Sequence, residues 1–191
     1  MTNSATPKGA GKRDRLVSAA QALLHRQGVE RTTIAEVANA AEVPAGNVFY
    51  YFKTKDELVE AAIAAHITNL EAMLASLERH RTPQARLKAL VRALTDQRAL
   101  VAKYGCPHGS LCQELDKRDD ELREAASVLL SLPLDWAEQQ FRLIGRRDAR
   151  SLAVALMASY QGISLITNTF GDEQLMVREG RRLEHWIDSL A

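Results

Sequence analysis

The sequence predicts an all-α fold of about nine helices. Three observations lead there. Apolar residues recur at intervals of three and four along nearly the whole of the 191 residues. No segment alternates apolar and polar residues long enough to read as a strand, and no repeat period is visible. Only five prolines and ten glycines punctuate the chain, and they fall between the helical stretches. At 46% hydrophobic and 26% charged residues the composition is that of a globular protein. It is expected to form one domain, or two small ones sharing a junction. No run approaches about 18 uninterrupted apolar residues, so no transmembrane helix is expected. The polar start, Met1 to Gly11, lacks the apolar core of a signal peptide. Two cysteines do not make a disulfide framework. Together these features predict a cytoplasmic protein with no membrane partner.

The elements follow in order. Residues 1–11 read as a disordered arm. A first helix is expected from about Lys12 to Gln27, with Leu16, Ala20, Leu23 and Leu24 on one face and Gly28 stopping it. Thr33-Ile34-Ala35-Glu36 is a capping box opening a short second helix, whose buried stripe is Ile34, Val37, Ala38 and Ala41. After a break at Glu42-Val43-Pro44, a third short helix covers Ala45 to Phe52. Thr54-Lys55-Asp56-Glu57 reads as another capping box, opening a long helix that carries Leu58, Ala62, Ile63, Ile67, Leu70, Leu74 and Leu77 and ends near Arg81. Pro83 starts a helix expected to run to Tyr104, since a proline in the first turn loses no ladder bond. Gly105 to Gly109 reads as a loop and Ser110 to Leu115 as a short helix. A long helix from about Asp120 to Ile144 is expected to kink or break at Pro133. Two final helices, about Asp148 to Phe170 and Asp172 to Leu190, are separated by Gly171.

Charge is unevenly placed. Residues 1–55 hold eight basic groups against four acidic ones, while the rest of the chain is mildly acidic. A basic head suggests a polyanionic partner. Within that head, residues 33–52 lay out two short helices joined by a tight break, with a longer helix before them. This is the layout of a helix-turn-helix. In the second short helix Val48 and Phe52, four apart, are placed to pack inward, and Phe49 is also expected in the core on burial preference. Asn47, Tyr50 and Tyr51 point elsewhere, beside Lys53 and Lys55. Tyrosine hydroxyls and lysine ammonium groups donate to phosphate, and asparagine pairs with adenine edges. Ala45 and Gly46 are small enough for close approach to a groove. These residues predict binding of double-stranded DNA.

The run from Thr32 through the break at Glu42-Val43-Pro44 to Tyr50-Tyr51-Phe52-Lys53-Thr54-Lys55-Asp56-Glu57-Leu58 resembles the N-terminal DNA-binding segment of TetR-family transcriptional regulators. Leu16 to Gly28 resembles that family's first helix. Glu42 stands where the family commonly has glycine, and Phe49 where it commonly has tyrosine. The resemblance implies a DNA-binding head over residues 12–55 and a helical ligand-binding and dimerisation body over residues 56–191. It implies a homodimeric repressor, bound to a palindromic operator and released by a small-molecule effector. By position, Thr33 and Lys55 are implied to touch phosphate. Ala45, Gly46 and Asn47 fall where base edges are read, and Tyr50 and Tyr51 fall on backbone or thymine methyls, with Lys53 beside them.

For the body, periodicity gives two stripes: Leu152, Leu156, Ile163 and Ile166, then Leu183, Trp186, Ile187 and Leu190. Periodicity alone leaves open whether they form an intramolecular core or a dimer interface; the resemblance implies an interface. A ligand pocket is expected to be walled by Leu94, Arg98, Val101, Tyr104, Leu111, Leu129, Trp136, Gln140, Tyr160 and Asn168. Gly105 to Cys112 resembles a segment found in one subgroup of TetR-type regulators. Cys106, His108 and Cys112 are competent zinc ligands, but their spacing is unusual and no fourth ligand stands nearby, so no metal site or cofactor is expected. Cys106 and Cys112 are a candidate redox sensor, with Cys106 at a helix start that would favour the thiolate; the alternative is packing as small hydrophobes. No phosphate loop, nucleophile elbow or two-histidine metal helix supports an enzyme. A helical interaction module that binds no DNA is the remaining alternative, and the basic head argues against it.

Overall fold

The computed structural model describes residues 11–118 and 121–190, and all regular structure among them is helical. The expected arm therefore lies, but for Gly11, outside the described residues. The helices are α1 (Lys12–Arg31), α2 (Ile34–Ala40), α3 (Ala45–Tyr51), α4 (Lys55–Leu77), α5 (Pro83–Thr95), α6 (Arg98–Tyr104), α7 (Pro107–Leu115), α8 (Glu121–Leu143), α9 (Ala149–Phe170) and α10 (Glu173–Asp188).

Local chemistry sets the ends of these elements. Gly28, at φ 82° and ψ 172°, interrupts α1, and only a final turn continues to Arg31. Thr33 caps α2 in a complete capping box with Glu36. Thr54 caps α4 through Glu57 N, but the Glu57 carboxylate reaches past it to Lys53 N at 2.6 Å, so the expected second box is only half formed. Four boundaries differ from the sequence reading. The helix expected over 83–104 is two helices, because Gln97 leaves helical geometry (φ −83°, ψ 10°) and its carbonyl starts a new ladder with Leu100 and Val101. α4 ends at Leu77, and tighter turn bonds at Glu78 and His80 replace its ladder. α7 starts at Pro107 rather than after Gly109, since Cys106 serves as its N-cap and Sγ accepts from Gly109 N at 3.4 Å. α8 is not broken at Pro133. It is packed against α4 on one side and α9 on the other, and that packing outweighs one lost ladder bond.

Two apolar clusters form the interior. The first joins α1, α2 and α3 with Leu58, Val59, Ala62, Ile63 and Leu70 of α4, Leu111 and Leu115 of α7, and Leu122, Ala126 and Leu129 of α8. The second gathers Leu74 and Leu77 of α4 with α5, α6, α9, α10 and the C-terminal half of α8. The first cluster thus crosses the expected boundary at residues 55 and 56, because the wall of the head's core is α4 itself. By length and mean hydropathy α4 and α9 could each cross a membrane. Both are instead packed helices, α4 on α1 and α8, and α9 on α6, α8 and α10.

The break between α2 and α3 turns on one residue. Glu42 sits at φ 53°, the left-handed region that suits glycine. The turn is closed by Glu42 N to Asn39 O at 3.1 Å and Val43 N to Ala38 O at 2.9 Å. The helix-turn-helix geometry is kept, with a side chain held in a conformation that costs about 1 kcal/mol. Glu42→Gly is expected to raise stability by about 0.5 kcal/mol after the entropy glycine loses on folding. Chemical denaturation of the two proteins at equal concentration measures it, and an unchanged or lower midpoint counts against strain at this position.

Candidate nucleic-acid interface

Seven residues of α3 cannot bury more than one side. Val48 and Phe52, four apart, take the inward positions and are essentially buried. Phe49, about 100° further round the helix, is carried outward and is 51% exposed, which corrects the expectation that it packs in the core. Tyr50 is 78% exposed. Tyr51 is half-buried, with its ring edge-on to that of Tyr50 at 5.0 Å between centroids. Ala45, Gly46 and Asn47 are exposed at the start of the same helix, and no heavy atom of the described residues lies within 4 Å of a Cβ built at Gly46. One face therefore carries Asn47, Phe49, Tyr50 and the edge of Tyr51. Aromatic area of this size is unusual on a surface with no partner.

The cations around this face are arranged unequally. Lys53 is exposed and donates to Phe49 O at 2.7 Å, closing the C-terminal end of α3. Among the described residues this bond engages one of its three ammonium protons. Lys55 is half-buried, donates to Glu30 O at 3.1 Å, and lines a cleft between head and body rather than the outer face. Arg13 lies over the Phe52 ring at 5.2 Å. It entered the sequence reading only in the charge total, because nothing in the local pattern pairs residue 13 with residue 52. Thr33 is exposed at the start of α2, but its N–H and hydroxyl both donate to Glu36 Oε2 at 2.9 Å. Those bonds hold the Glu36 carboxyl below the usual carboxylate range.

In the body the expected pocket residues do not meet in one place. Leu94, Val101 and Tyr160 belong to the second cluster, Leu111 and Leu129 to the first. The polar members already have partners. Trp136 Nε1 donates to Glu78 at 2.9 Å, Gln140 lies between Glu78 and Arg86, Asn168 Nδ2 donates to Ala102 O at 3.1 Å, and Arg98 stands 4.0 Å from Glu173. Tyr104 stands edge-on to His25 at 5.6 Å. A cleft of about 400 Å³ opens instead between α7 and α8, lined by Cys112, Asp116, Arg123, Ala126 and Leu130 among others. Among the described residues no group of three His, Cys, Asp or Glu side chains could hold a metal ion.

Cys106 is buried, and three donors converge on Sγ: Gly109 N at 3.4 Å, Gln161 Nε2 at 3.7 Å and the Tyr160 hydroxyl at 3.9 Å. Cys112 donates to Ala126 O at 3.1 Å, and burial pushes its thiol up to about 11.

The expected interface stripes are rotated. Leu156, Ile163 and Ile187 point into the subunit's own core, and Leu152, Leu183, Trp186 and Leu190 are partly covered by it. On α10 the side carrying Met176 and Ile187 is buried in the second cluster, and the ion pairs Lys88–Asp188 at 2.8 Å and Arg92–Glu184 run along its seam with α5. Ile166 is exposed, and with Val154, Leu165 and Phe170 it forms an outward apolar face on α9.

A group the sequence reading missed lies where α1, α4 and α7 meet. His25 Nε2 bonds Gly105 O at 2.8 Å, and the His66 and His108 rings stand edge-on at 5.3 Å. Desolvation lowers all three, His66 to about 4 and His108 to about 3; the other histidines add to it at His66 and His108, while at His25 the bond to Gly105 opposes it and Arg26 adds to it. They are far apart in sequence and share no motif spacing, so only the packing brings them together.

Residues 16–62 match the family model described as bacterial regulatory proteins, tetR family. The chain is 29% identical over 188 residues to the HTH-type transcriptional regulator TtgR of Pseudomonas putida, covering 93% of this chain and 88% of that protein. It is 28% identical over 166 residues to an uncharacterised HTH-type transcriptional regulator of Lactococcus lactis, covering 84% and 85%. In fold it matches the crystal structure of a TetR transcriptional regulator from Legionella pneumophila, with a TM-score of 0.81 at 19% identity over 98% of both chains.

The histidine group gives a pH dependence with a definite sign. Its members are neutral when folded, and their folded values lie below the unfolded value near 6.5. Acid protonates the unfolded chain first, so stability is full above about pH 6.5 and falls as the pH drops toward 4. Between pH 7 and pH 5 the loss from His66 is about 2 kcal/mol. Denaturation midpoints of wild type and His66→Gln across this range check it. The variant should show a shallower fall, and parallel curves would remove His66 as a cause.

Proposed function

Taking as premise that this chain is a TetR-family DNA-binding transcriptional regulator, we propose that it is a homodimeric repressor, held on a palindromic operator and released by a small-molecule inducer in the cytoplasm. The observation that carries this reading is the outer face of α3, where Asn47, Phe49, Tyr50 and Tyr51 project beside Lys53. In this reading residues 12–55 are the DNA-binding head and residues 56–191 the effector and pairing body. Ala45, Gly46 and Asn47 read base edges. Tyr50, Tyr51 and Lys53 hold phosphate and thymine methyls, and Phe49 adds apolar contact where a hydroxyl is missing. Thr33 reaches phosphate only by exchanging Glu36 for it, and Lys55 acts from behind the head.

Pairing is assigned to the outward face of α9. Val154, Leu165, Ile166 and Phe170 are exposed there, and Ala155, Ala158 and Gly162 leave room for close helix approach. Two copies related by a twofold axis would cover this face and present two heads to half-sites about one helical turn apart or somewhat more. The inducer is assigned to the region between α6 and α9, near Tyr104, Tyr160 and Asn168. On α9 the Thr167 hydroxyl is buried with no hydrogen-bond partner among the described residues, and a ligand's polar group would gain by meeting it. A second reading makes Cys106 a thiol sensor. Three donors converge on its sulfur, which singles it out from Cys112.

Selection of duplexes from a random pool, run in reductant and in a thiol oxidant, tests the reading. A palindrome enriched equally in both supports the inducer-released repressor; enrichment in reductant alone moves the switch to Cys106; no enrichment overturns both. On the selected duplex, Lys53→Ala is expected to weaken every sequence similarly and lower the salt slope by about one. Asn47→Ala should instead relax preference at one base position, by about 1–3 kcal/mol. Leu165→Glu is expected to shift sedimentation from dimer to monomer at micromolar protein and to weaken the full palindrome at least tenfold. A dimer that survives this change would move the interface away from α9.

A further inference from the structure

We propose that Glu114 is the positioning residue that holds the DNA-reading head in register with the body, through paired hydrogen bonds from the Val29 and Glu30 amides. The inference rests on the operator-binding reading above and assigns it a joint.

The geometry is specific. Val29 N donates to Glu114 Oε2 at 2.8 Å and Glu30 N donates to Oε1 at 2.7 Å, so the carboxylate spends one oxygen on each of two consecutive amides. These amides are the first of the short turn that follows Gly28. With α1 interrupted there, they have no partner within their own helix. The acceptor comes from 84 and 85 residues away, on α7. Gly28 makes the approach possible: at its φ of 82°, a Cβ would stand 2.7 Å from Glu114 Oε2. A glycine that ends a helix and the carboxylate that replaces the helix's lost partners thus form one fitted contact.

Other bonds converge on the same joint. Glu30 is held at its carbonyl as well as its amide, because Lys55 Nζ at the start of α4 donates to Glu30 O at 3.1 Å. Arg118, just past the end of α7, pairs with Asp56 beside Lys55 at 2.7 Å. All of these residues line one cleft of about 330 Å³ between head and body. From the clamped turn the chain passes at once to Thr32, buried and bonded to Gly28 O at 2.6 Å, and then to Thr33, the N-cap of α2. Any shift of α7 along its axis therefore reaches the first residue of the helix-turn-helix within four residues of backbone. The apolar contacts between α7 and the head, made by Leu111 and Leu115, are nondirectional and would allow the head to tilt. The two charge-assisted bonds are directional and would not.

In a paired molecule the angle of each head sets the separation at which two half-sites can be read together. The test uses the duplex selected above, and that duplex with one or two base pairs inserted between its half-sites, at fixed salt. Glu114→Gln keeps the shape but places an amide against amides or leaves one bond unmade. Glu114→Asp keeps the charge and draws it back by one methylene. Both are expected to reduce the preference for native over inserted spacing about fivefold or more, and to speed hydrogen exchange at the Val29 and Glu30 amides. A merely structural role lowers the active fraction on every duplex alike and leaves the preference unchanged, and that result in both variants would overturn the inference alone. A wild-type protein indifferent to spacing would overturn the operator reading, and this inference with it.

Discussion

Everything in this molecule hangs on α4 being shared between two interiors. Its N-terminal half supplies Leu58, Val59, Ala62 and Ile63 to the core of the head, and its C-terminal half supplies Leu74 and Leu77 to the core of the body. A helix of 23 residues is about 34 Å long and resists bending, so the two cores cannot move independently of its axis. Two of the three head helices, α2 and α3, have seven residues each and are too short to bury their apolar stripes alone. They are stable because α4, α7 and α8 close them from behind. The outer face of α3 is thereby released from packing duty and carries Phe49 and Tyr50 into solvent.

Against this apolar continuity, the contacts between head and body that carry direction are few and polar. Glu114 grips the turn after Gly28, which Lys55 braces from within the head, and His25 bonds the Gly105 carbonyl at the end of α6. The neighbouring histidines stay neutral because burial makes charge costly there. Hydrophobic area holds the two regions together, while hydrogen bonds decide at what angle. The division follows from the two kinds of contact, since area tolerates sliding and hydrogen bonds do not.

How much of this could be read from the chain depended on the range of the interaction. The capping box at Thr33 and Glu36, the stop at Gly28 and the inward pair Val48 and Phe52 are local, and their residue types imply their geometry. The break at Gln97 was not legible, because no glycine or proline marks it and the ladder simply restarts. Burial preference alone places Phe49 inward, but a helix with so few inward positions carries it out into solvent. On α9 and α10 the period shows that each helix has an apolar face and not which neighbour covers it; Leu156, Ile163 and Ile187 are covered by the chain's own core, while Leu152, Ile166, Leu183, Trp186 and Leu190 keep part of their surface open. Glu114, the histidine group and Arg13 on Phe52 join residues dozens of positions apart or more, and only the fold brings them together.

The capping box of α2 also makes the head its own competitor. Glu36 already places a negative oxygen on the amide and hydroxyl of Thr33, at the positive end of a helix dipole. In the proposed reading an incoming phosphate would find no vacant charge there; it would have to evict a resident one, exchanging one set of hydrogen bonds for another of similar strength. Casual encounters with a polyanion would then gain almost nothing at this corner. Only a duplex fitted well enough elsewhere along the face would tip the exchange, so a feature whose first role is to start a seven-residue helix would also act as a filter against indiscriminate adhesion.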